Sequence, residues 1–367
     1  MNRRAFLQSA CGLMVPASIL SKPVAAFGIM ASGSRYFAAA GSGAIADGDT
    51  IVRTGPSATK PSIIEWLGGS GGVIDSATAD ADFSRTGWSK SFTDISRWTY
   101  NTGRTFNRSK SLLADNKYPT PTDGRKTWFY DYGASGVTEE YRSCNFYCDR
   151  GSATTFQWKI WRLLPAELET DGQDPSWYIA NWYNGYGNAF LNVYNQDGGG
   201  TRDLSTLAPF NGWFRLEVFW TCNTPNGTSN GTIRFKCTNR STGATVFDDT
   251  FSSVNFRGST GPPPVHRYAC WQNYLGNETP TDTQLRVYMD DIYMSAVASS
   301  TGAFVRAELC NNGTYASATI SEICEVTGIS GTDWSVKLNK GQHASSDLTG
   351  LYLALFPASG SPTMVAV

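Results

Sequence analysis

Charged side chains and histidine are scarce in this sequence. Asp, Glu, Lys and Arg make up 17% of the 367 residues, the formal net charge is −1, and His266 and His343 are the two histidines. A near-neutral chain offers no basic surface for nucleic acid and no polybasic patch for lipid headgroups. With two histidines and no Cys-x-x-Cys pair, the sequence does not favour a zinc site. We therefore expect no nucleic-acid partner and no required cofactor.

Long apolar runs are also missing after residue 26, so we expect no membrane-spanning segment in the rest of the chain. The first 26 residues are MNRRAFLQSACGLMVPASILSKPVAA: a basic pair, an apolar stretch to about Leu20 and a small-residue end at Val24–Ala26. This pattern predicts a signal peptide and an exported bacterial protein, periplasmic, on the cell surface or extracellular. The motif Arg-Arg-Ala-Phe-Leu resembles a twin-arginine export signal. An ordinary Sec signal and an uncleaved tail are the alternatives.

The cysteines leave the disulfide pattern open. The sequence has eight cysteines, and removal of residues 1–26 would take Cys11 with it. Cys144 and Cys148 are four residues apart on a predicted strand, which places them about 13 Å apart, too far to bridge each other. The pairs Cys222 with Cys237 and Cys310 with Cys324 could each form a disulfide in an oxidising compartment. The alternative is that these cysteines are small core residues.

Convincing helical periodicity is absent, and strand patterns fill most of the chain. Aromatics reach 13% and glycine is frequent, which is typical of all-β proteins. In GWFRLEVFW (212–220), one face carries Phe214, Leu216, Val218 and Trp220, and the other face is expected to be partly wet. Similar alternation occurs at 137–149, 154–164, 176–184, 231–240, 266–276 and 284–295. We predict an all-β chain: a two-sheet antiparallel jelly-roll sandwich followed by a small β-sandwich.

The composition and the strand patterns of the sequence predict four regions. They are a signal peptide at 1–26, a Gly/Ala/Ser-rich lead-in with its first strands at 27–79, a jelly roll at 80–296 and a small β-sandwich at 303–367. A small-residue linker, VASSTGA, joins the last two.

Three strand motifs point to a family. GWFRLEVFW, GTIRFKCTNR and LRVYMDDIYMS resemble the later strands of concanavalin A-like lectin and glucanase jelly rolls, a superfamily that includes polysaccharide-lyase-like and laminin-G-like domains. The segments FVRAELC, WSVKLNKG and GLYLALF are similar to an immunoglobulin-like module of the IPT/TIG type. The resemblance implies a jelly roll whose concave face holds an extended glycan.

Several strand faces combine aromatic and amide side chains, which suit the apolar faces and the hydroxyls of sugars. These faces predict a polysaccharide-binding protein, and the alternative is that the aromatics belong to the core and rim of the sandwich. The candidate glycan contacts are Tyr141, Asn145, Gln157, Trp161, Asn181, Trp182, Tyr183, Tyr194, Gln196 and Trp271.

A polysaccharide lyase acting by β-elimination on a uronic-acid-containing glycan is the second hypothesis. Such a lyase needs a cation for the uronate carboxylate, a base and an acid. Arg142 or Lys159 would supply the cation, and Tyr147 or His266 the proton transfers. The stretch Arg142–Phe146 lacks the Glu and the second Arg of the familiar lyase strand. A glycoside hydrolase is disfavoured further, because the adjacent Glu139 and Glu140 point to opposite faces of a strand.

Two alternatives remain open. Asp290 and Asp291 could ligate a structural Ca²⁺, since carboxylates suit hard cations, or they could be strand-end carboxylates held by backbone or arginine donors. The third functional hypothesis is a structural surface component or a phage-like appendage, in which the jelly roll mediates protein contacts.

Overall fold

In a computed structural model, the described residues are 44–66, 88–91, 98–106, 111–117, 127–133, 136–149, 156–164, 177–185, 188–195, 202–204, 212–222, 228–254, 268–276, 284–297 and 302–367. Their regular structure is β, apart from one turn of 3₁₀ helix at Tyr315–Ser317. The all-β prediction is therefore confirmed. Within this part of the chain, no helix is long and apolar enough to cross a membrane.

The strands in chain order are β1 (Thr50–Thr54), β2 (Ile63–Trp66), β3 (Trp88–Ser91), β4 (Trp98–Asn101), β5 (Ser111–Lys117), β6 (Thr127–Asp131), β7 (Glu139–Asp149), β8 (Phe156–Leu164), β9 (Trp177–Gly185), β10 (Asn188–Asn195), β11 (Arg202–Leu204), β12 (Trp213–Thr221), β13 (Gly231–Asn239), β14 (Thr245–Val254), β15 (Tyr268–Gly276), β16 (Gln284–Val297), β17 (Arg306–Cys310), β18 (Ser321–Ser330), β19 (Asp333–Lys337), β20 (Tyr352–Phe356) and β21 (Thr363–Ala366).

Two antiparallel sheets form the jelly roll. The eight-stranded sheet has the order β14-β13-β12-β7-β16-β5-β4, with β2 paired to β16, and the seven-stranded sheet has the order β11-β10-β9-β8-β15-β6-β3. They pack face to face: Phe146 of β7 lies 5.7 Å from Trp161 of β8, ring centroid to centroid. Phe214 of β12 stacks beside Phe146. The predicted apolar face of β12 is therefore in the core, as its alternation indicated.

The C-terminal sheet has six strands in the order β1-β19-β18-β17-β20-β21. Its edge strands approach each other, because Arg53 of β1 donates from Nε to the carbonyl oxygen of Ala366 in β21 at 2.7 Å. β18 has a register shift between Val326 and Gly328, an irregularity of the kind that bends a strand. The sheet thus curls around one core, whose buried members include Trp334 and Leu355.

The C-terminal sheet covers the second face of the eight-stranded sheet. Tyr141 of β7 and Tyr293 of β16 share a buried cluster with Phe304 and Phe356 from the C-terminal region. The predicted partly wet face of β12 is half-buried at Trp213 and Phe219, whereas Arg215 and Glu217 on the same face are both 4% exposed. The eight-stranded sheet is the middle of three layers.

Cys144, Cys237, Cys310 and Cys324 are free thiols. Cys237 pairs in register with Leu216, so Cys222 lies six residues further along β12, about 20 Å away. Cys310 is opposite Ser321, and Cys324 is opposite Ala307. Because three residues separate these positions along each strand, their side chains lie on opposite faces of the sheet, and neither candidate disulfide can form without rearrangement.

Candidate functional site

A row of polar positions crosses five strands of the seven-stranded sheet. Lys159 is paired in register with Tyr274 and with Asn181. Asn181 is paired with Asn192, and Asn192 with Asp203. Directly paired positions lie on the same face of a sheet. We call these five positions the polar row, and it spans about 19 Å across β15, β8, β9, β10 and β11.

The neighbouring register positions form an apolar row on the opposite face. This row consists of Leu275, Trp158, Trp182, Leu191 and Leu204. Trp161 identifies which face this is, because it contacts the eight-stranded sheet and is paired with Ala180, two residues from Trp182. The apolar row therefore belongs to the core face, and the polar row to the face turned away from the eight-stranded sheet.

The predicted glycan contacts on this sheet divide between the two faces. Trp161 is fully buried, so it does not contact a glycan; Trp271, its partner in register, and Trp182 occupy positions on the same core face. Gln157 is paired with Tyr183, and both lie on the face of the polar row with Lys159 and Asn181. Tyr194 is paired with Tyr178 beside a register shift. Gln196 and His266 lie outside the described residues.

Two further predicted glycan contacts lie on the other sheet and are buried. Tyr141 and Asn145 belong to β7, on the face that the C-terminal sheet covers, and each is 1% exposed. Tyr141 donates from its hydroxyl to Glu217 at 2.7 Å, and the Asn145 amide donates to Asp291 at 2.9 Å. The sequence places β7 and β8 in succession, but the chain crosses between sheets there, so their candidate residues do not form one groove. Neither side chain is accessible to a glycan in this structure.

Arg142 lies in the core between the two jelly-roll sheets and cannot reach a polymer. It forms a fully buried ion pair with Glu140, and Glu140 also accepts a hydrogen bond from the Tyr132 hydroxyl at 2.8 Å. Burial, together with the Glu140 charge, raises the pKa of Tyr132 well above its ordinary range. Lys159 occupies the opposite face of the seven-stranded sheet, so the two candidate lyase cations do not converge.

Tyr147 lies on the same face of β7 as Tyr141, at the half-buried end of the strand. The guanidinium carbon of Arg104 lies 4.0 Å from the centre of the Tyr147 ring. Trp213 and Tyr288 contact the ring edge-to-face, at 5.6 and 6.1 Å between centroids. Tyr147 is therefore packed in an aromatic and cationic cluster that is remote from the position of Lys159.

Asp290 and Asp291 are buried and engaged by N–H donors. The Asp290 carboxylate accepts from the backbone N–H of Phe106 at 3.1 Å and of Asp291 at 2.8 Å. One Asp291 oxygen accepts from Asn145, as described above. The described residues contain no group of three or more His, Cys, Asp and Glu side chains able to hold a metal. Protein N–H groups therefore already donate hydrogen bonds to both carboxylates. A calcium-binding role for them stays a prediction.

A buried ionic cluster joins the eight-stranded sheet to the C-terminal sheet. Arg215 of β12 donates from Nε to Glu217 at 3.1 Å and from Nη2 to Glu308 of β17 at 2.8 Å. Arg306 donates from Nε to Glu308 at 2.8 Å, and its Nη2 lies 3.8 Å from Glu217. Lys236 of β13 lies 4.0 Å from Glu217. We call these five residues the interface cluster.

All members of the interface cluster keep their charges. Burial alone would raise the pKa of Glu308, but Arg215 and Arg306 outweigh it and hold that pKa well below its ordinary value. The pKa of Glu217 is likewise lowered, since Arg215 and Lys236 outweigh its burial. Burial would lower the pKa of Lys236, yet Glu217, Tyr315 and Glu308 together outweigh it and the pKa is raised.

A small cleft of about 20 Å³ opens beside this cluster, between β12 and β13 on one side and the C-terminal region on the other. Glu217, Lys236 and Arg306 of the cluster line it. The remaining lining residues are Tyr141, Phe219, Arg234, Phe304, Tyr315 and Phe356. The cleft therefore combines cationic groups with aromatic walls.

Sequence reasoning missed both the cluster and the cleft. The available signal was the placement of charges within apolar alternation: Arg215 and Glu217 in β12, and Arg306 and Glu308 in FVRAELC. Two strands that each carry an acid and a base two residues apart can pair their charges across an interface. Local patterns do not show which strands will face each other, so the pairing could not be read from the sequence.

Comparisons with known proteins give no family for this chain. No protein-family model matches it, and no curated protein matches it.

Solved structures with a similar fold include sugar-binding proteins and a lyase. An alginate lyase from Chlorella virus is 11% identical, with a TM-score of 0.42, over 58% of this chain and 94% of that one. Lectin II from Ulex europaeus is 9% identical, with a TM-score of 0.33, over 57% and 97%. Basic winged bean lectin, solved with Tn-antigen, is 6% identical, with a TM-score of 0.37, over 68% and 99%. At these identities and TM-scores, the similarity gives no information about the function of this chain.

Proposed function

We propose that this chain is an exported polysaccharide-binding protein, and that the glycan lies along the polar row of the seven-stranded sheet. The observation that carries the proposal is the register of Lys159, Asn181 and Asn192 with their neighbours on one face of five adjacent strands. Export rests on the signal-like pattern of residues 1–26, which lie outside the described residues.

The chemistry of the row suits a neutral or acidic glycan. Amide groups donate to and accept from sugar hydroxyls, a lysine donates to hydroxyls or pairs with a carboxylate, and a tyrosine offers a ring for stacking. The row is long enough to contact several units of an extended chain. Gln157 and Tyr183, two residues from Lys159 and Asn181, extend the same chemistry along the strands.

Affinity electrophoresis tests the proposal directly. Mobility of the protein would be measured in gels containing neutral or acidic polysaccharides, for the wild type, for the double variant Lys159→Ala/Asn181→Ala and for the matched variant Lys60→Ala/Asn312→Ala. Lys60 and Asn312 are exposed and belong to segments outside the seven-stranded sheet. We expect retardation of the wild type and of the matched variant, and affinity at least about 10-fold weaker in the row variant. Full mobility of the wild type in every gel would refute the proposal.

Cleavage is tested in the same samples. A β-elimination product carries an unsaturated uronate that absorbs in the ultraviolet, so a rise in absorbance with acidic polysaccharides would favour the lyase hypothesis over binding alone. The buried ion pair of Arg142 with Glu140 removes Arg142 from that role, which leaves Lys159 as the described candidate cation. Oligomers or fibres without any glycan retardation would instead favour a structural role.

A further inference from the structure

An irregularity in β8 brings a second cationic position to the face of the polar row. Lys159 of the row is paired with Asn181 in β9. Trp161, two residues further along β8, is paired with Ala180, which adjoins Asn181. Consecutive strand residues lie on opposite faces of a sheet, so Lys159 and Trp161 do too. Arg162 directly follows Trp161, and it therefore shares the face of Lys159.

The burial of the intervening residue agrees with this arrangement. Ile160 and Trp161 are consecutive, yet they are 2% and 0% exposed. A β-bulge sets two residues of one strand against one residue of its partner, which shifts the alternation of faces by one residue. Strict alternation would place Lys159 and Arg162 on opposite faces, so it is the bulge that brings them together.

The neighbouring strands give the same result independently. Arg162 is paired with Tyr178 of β9, and Tyr178 with Tyr194 of β10. Tyr194 is two residues from Asn192 of the polar row, a spacing that returns to the same face of a strand. The positions in register with Arg162 form a second row on this face, which we call the arginine row: Cys270, Arg162, Tyr178 and Tyr194.

The arginine row lies directly beside the polar row. On β10 the two rows are two residues apart, which is about 7 Å. On β8 they are three residues apart, which is at most about 10 Å. An extended glycan that follows the polar row across the strands therefore passes close to the position of Arg162 as well as that of Lys159.

The acidic positions on this face lie apart from both cations. Among the described strands of the seven-stranded sheet they are Asp131 of β6 and Asp203 of β11, and neither strand is paired with β8. The Asp131 carboxylate already accepts a hydrogen bond from the backbone N–H of Gly133 at 2.7 Å. Lys159 and Arg162 thus occupy adjacent rows with no acidic position paired to either, which favours an anionic ligand.

The residue types determine which anion fits. A guanidinium group presents parallel N–H donors that match a planar carboxylate, and an ammonium group supplies a compact positive charge. Tyr178 and Tyr194 are of the type that stacks on the apolar face of a sugar ring. A uronate unit combines a carboxylate with such a ring, whereas a neutral sugar offers no counter-charge to Lys159 and Arg162.

We propose that the polysaccharide bound on this face is acidic, and that Arg162 selects it by binding uronate carboxylates together with Lys159. The inference rests on the proposed function, because it takes the polar row as the glycan site. It narrows the ligand from a neutral or acidic glycan to one that carries carboxylates, and it adds a residue that the polar row does not contain.

Affinity electrophoresis in matched gels tests the inference. The gels contain polygalacturonate, alginate, or the carboxyl-reduced form of each, in which hydroxymethyl groups replace the carboxylates. Mobility is measured relative to a gel without glycan for the wild type, Arg162→Gln, Arg162→Lys and the matched variant Arg234→Gln. Arg234 belongs to β13, outside the seven-stranded sheet, and its side chain is 40% exposed.

We expect the wild type to bind at least one acidic glycan about 10-fold or more tightly than its reduced form. Arg162→Gln should bind that acidic glycan about 10-fold more weakly and the reduced form as the wild type does. Arg162→Lys keeps the charge but not the paired donors, so its loss should be smaller. Arg234→Gln should behave as the wild type, which excludes a general effect of removing one positive charge.

Equal affinity of the wild type for each acidic glycan and its reduced form would overturn the inference and leave the proposed function standing. An unchanged preference for the acid in Arg162→Gln would do the same. If circular dichroism shows that Arg162→Gln does not fold, Arg162→Lys and the comparison of gels for the wild type still decide the question. No retardation of the wild type in any gel would refute the proposed function itself, and the inference with it.

Discussion

Arg215 of β12 donates a 2.8 Å hydrogen bond from Nη2 to Oε2 of Glu308 in β17. The two residues are 93 positions apart and belong to different sheets, so this contact joins the jelly roll to the C-terminal sheet. Both side chains are nearly inaccessible to solvent. Each therefore depends on the other for the interactions that water would otherwise provide.

Loss of one partner should destabilise the protein strongly. Glu308→Gln leaves Arg215 and Arg306 without their shared carboxylate, and we expect the free energy of unfolding to fall by about 3–5 kcal/mol. Asp248→Asn is the matched control, because it breaks the partly exposed pair with Arg234 and should cost less than about 1 kcal/mol. Urea denaturation measures both. Similar losses in the two variants would contradict the burial argument.

Replacing both partners with apolar residues should cost less than removing one. The double variant Arg215→Met/Glu308→Leu leaves Arg306 without Glu308 but removes the second stranded cation, Arg215, so we expect it to be more stable than Glu308→Gln. The comparison is a urea denaturation series of the single and double variants. A double variant no more stable than Glu308→Gln would indicate that the remaining cations need the carboxylate.

Acid should weaken the protein through the same carboxylates. The pKa values of Glu217 and Glu308 are lowered in the folded state, so their contribution to stability is complete above the ordinary value of 4.5 and is lost as the pH falls toward the folded values. We expect the unfolding free energy to drop below pH 4.5. In Glu308→Gln this drop should be shallower. If the unfolding free energy falls equally steeply with decreasing pH in Glu308→Gln and in the wild type, groups other than Glu308 cause the acid sensitivity.

A glycine at the turn between β13 and β14 tests the packing of the interface. Gly243 has a φ of +72°, and a Cβ there would collide with the backbone of Thr319 in the C-terminal region. Gly331 has a φ of +62° with open space around it. We expect Gly331→Ala to cost about 1 kcal/mol from backbone strain alone, and Gly243→Ala to cost about 1–3 kcal/mol more. Thermal unfolding of both variants measures the difference, and equal costs would mean that Thr319 moves freely.

Alternation predicted the strands well because it is a local property. Phe214, Leu216, Val218 and Trp220 are buried as the pattern of β12 indicated, and the two-layer jelly roll followed. The opposite face of β12 is predicted to be partly wet: Trp213 and Phe219 there are half-buried, but the charges of Arg215 and Glu217 are buried. The structure buries these charges because Arg306 and Glu308, which are distant in sequence, lie against them.

The candidate site was harder to predict for the same reason. Tyr141 and Asn145 have the residue types of a glycan surface, yet the C-terminal sheet covers them, and no pattern within β7 reports that cover. Lys159 and Asn181 lie on the face turned away from the core, where a polar residue has no need of a buried partner. Residue types indicated the kind of chemistry. The order of the sheets determined which of these residues are accessible to a ligand.

The contact of Arg53 with Ala366 has a consequence for how the chain can be divided. The first described strand, β1, pairs with β19 and also reaches β21, and Trp334 of β19 donates from Nε1 to the carbonyl oxygen of Pro56 at 2.8 Å. A fragment starting at residue 303 would lack these partners and would leave the backbone of β19 open to pairing with other chains. During synthesis, β1 emerges long before β19, so the C-terminal sheet can be completed only after nearly the whole chain has been made.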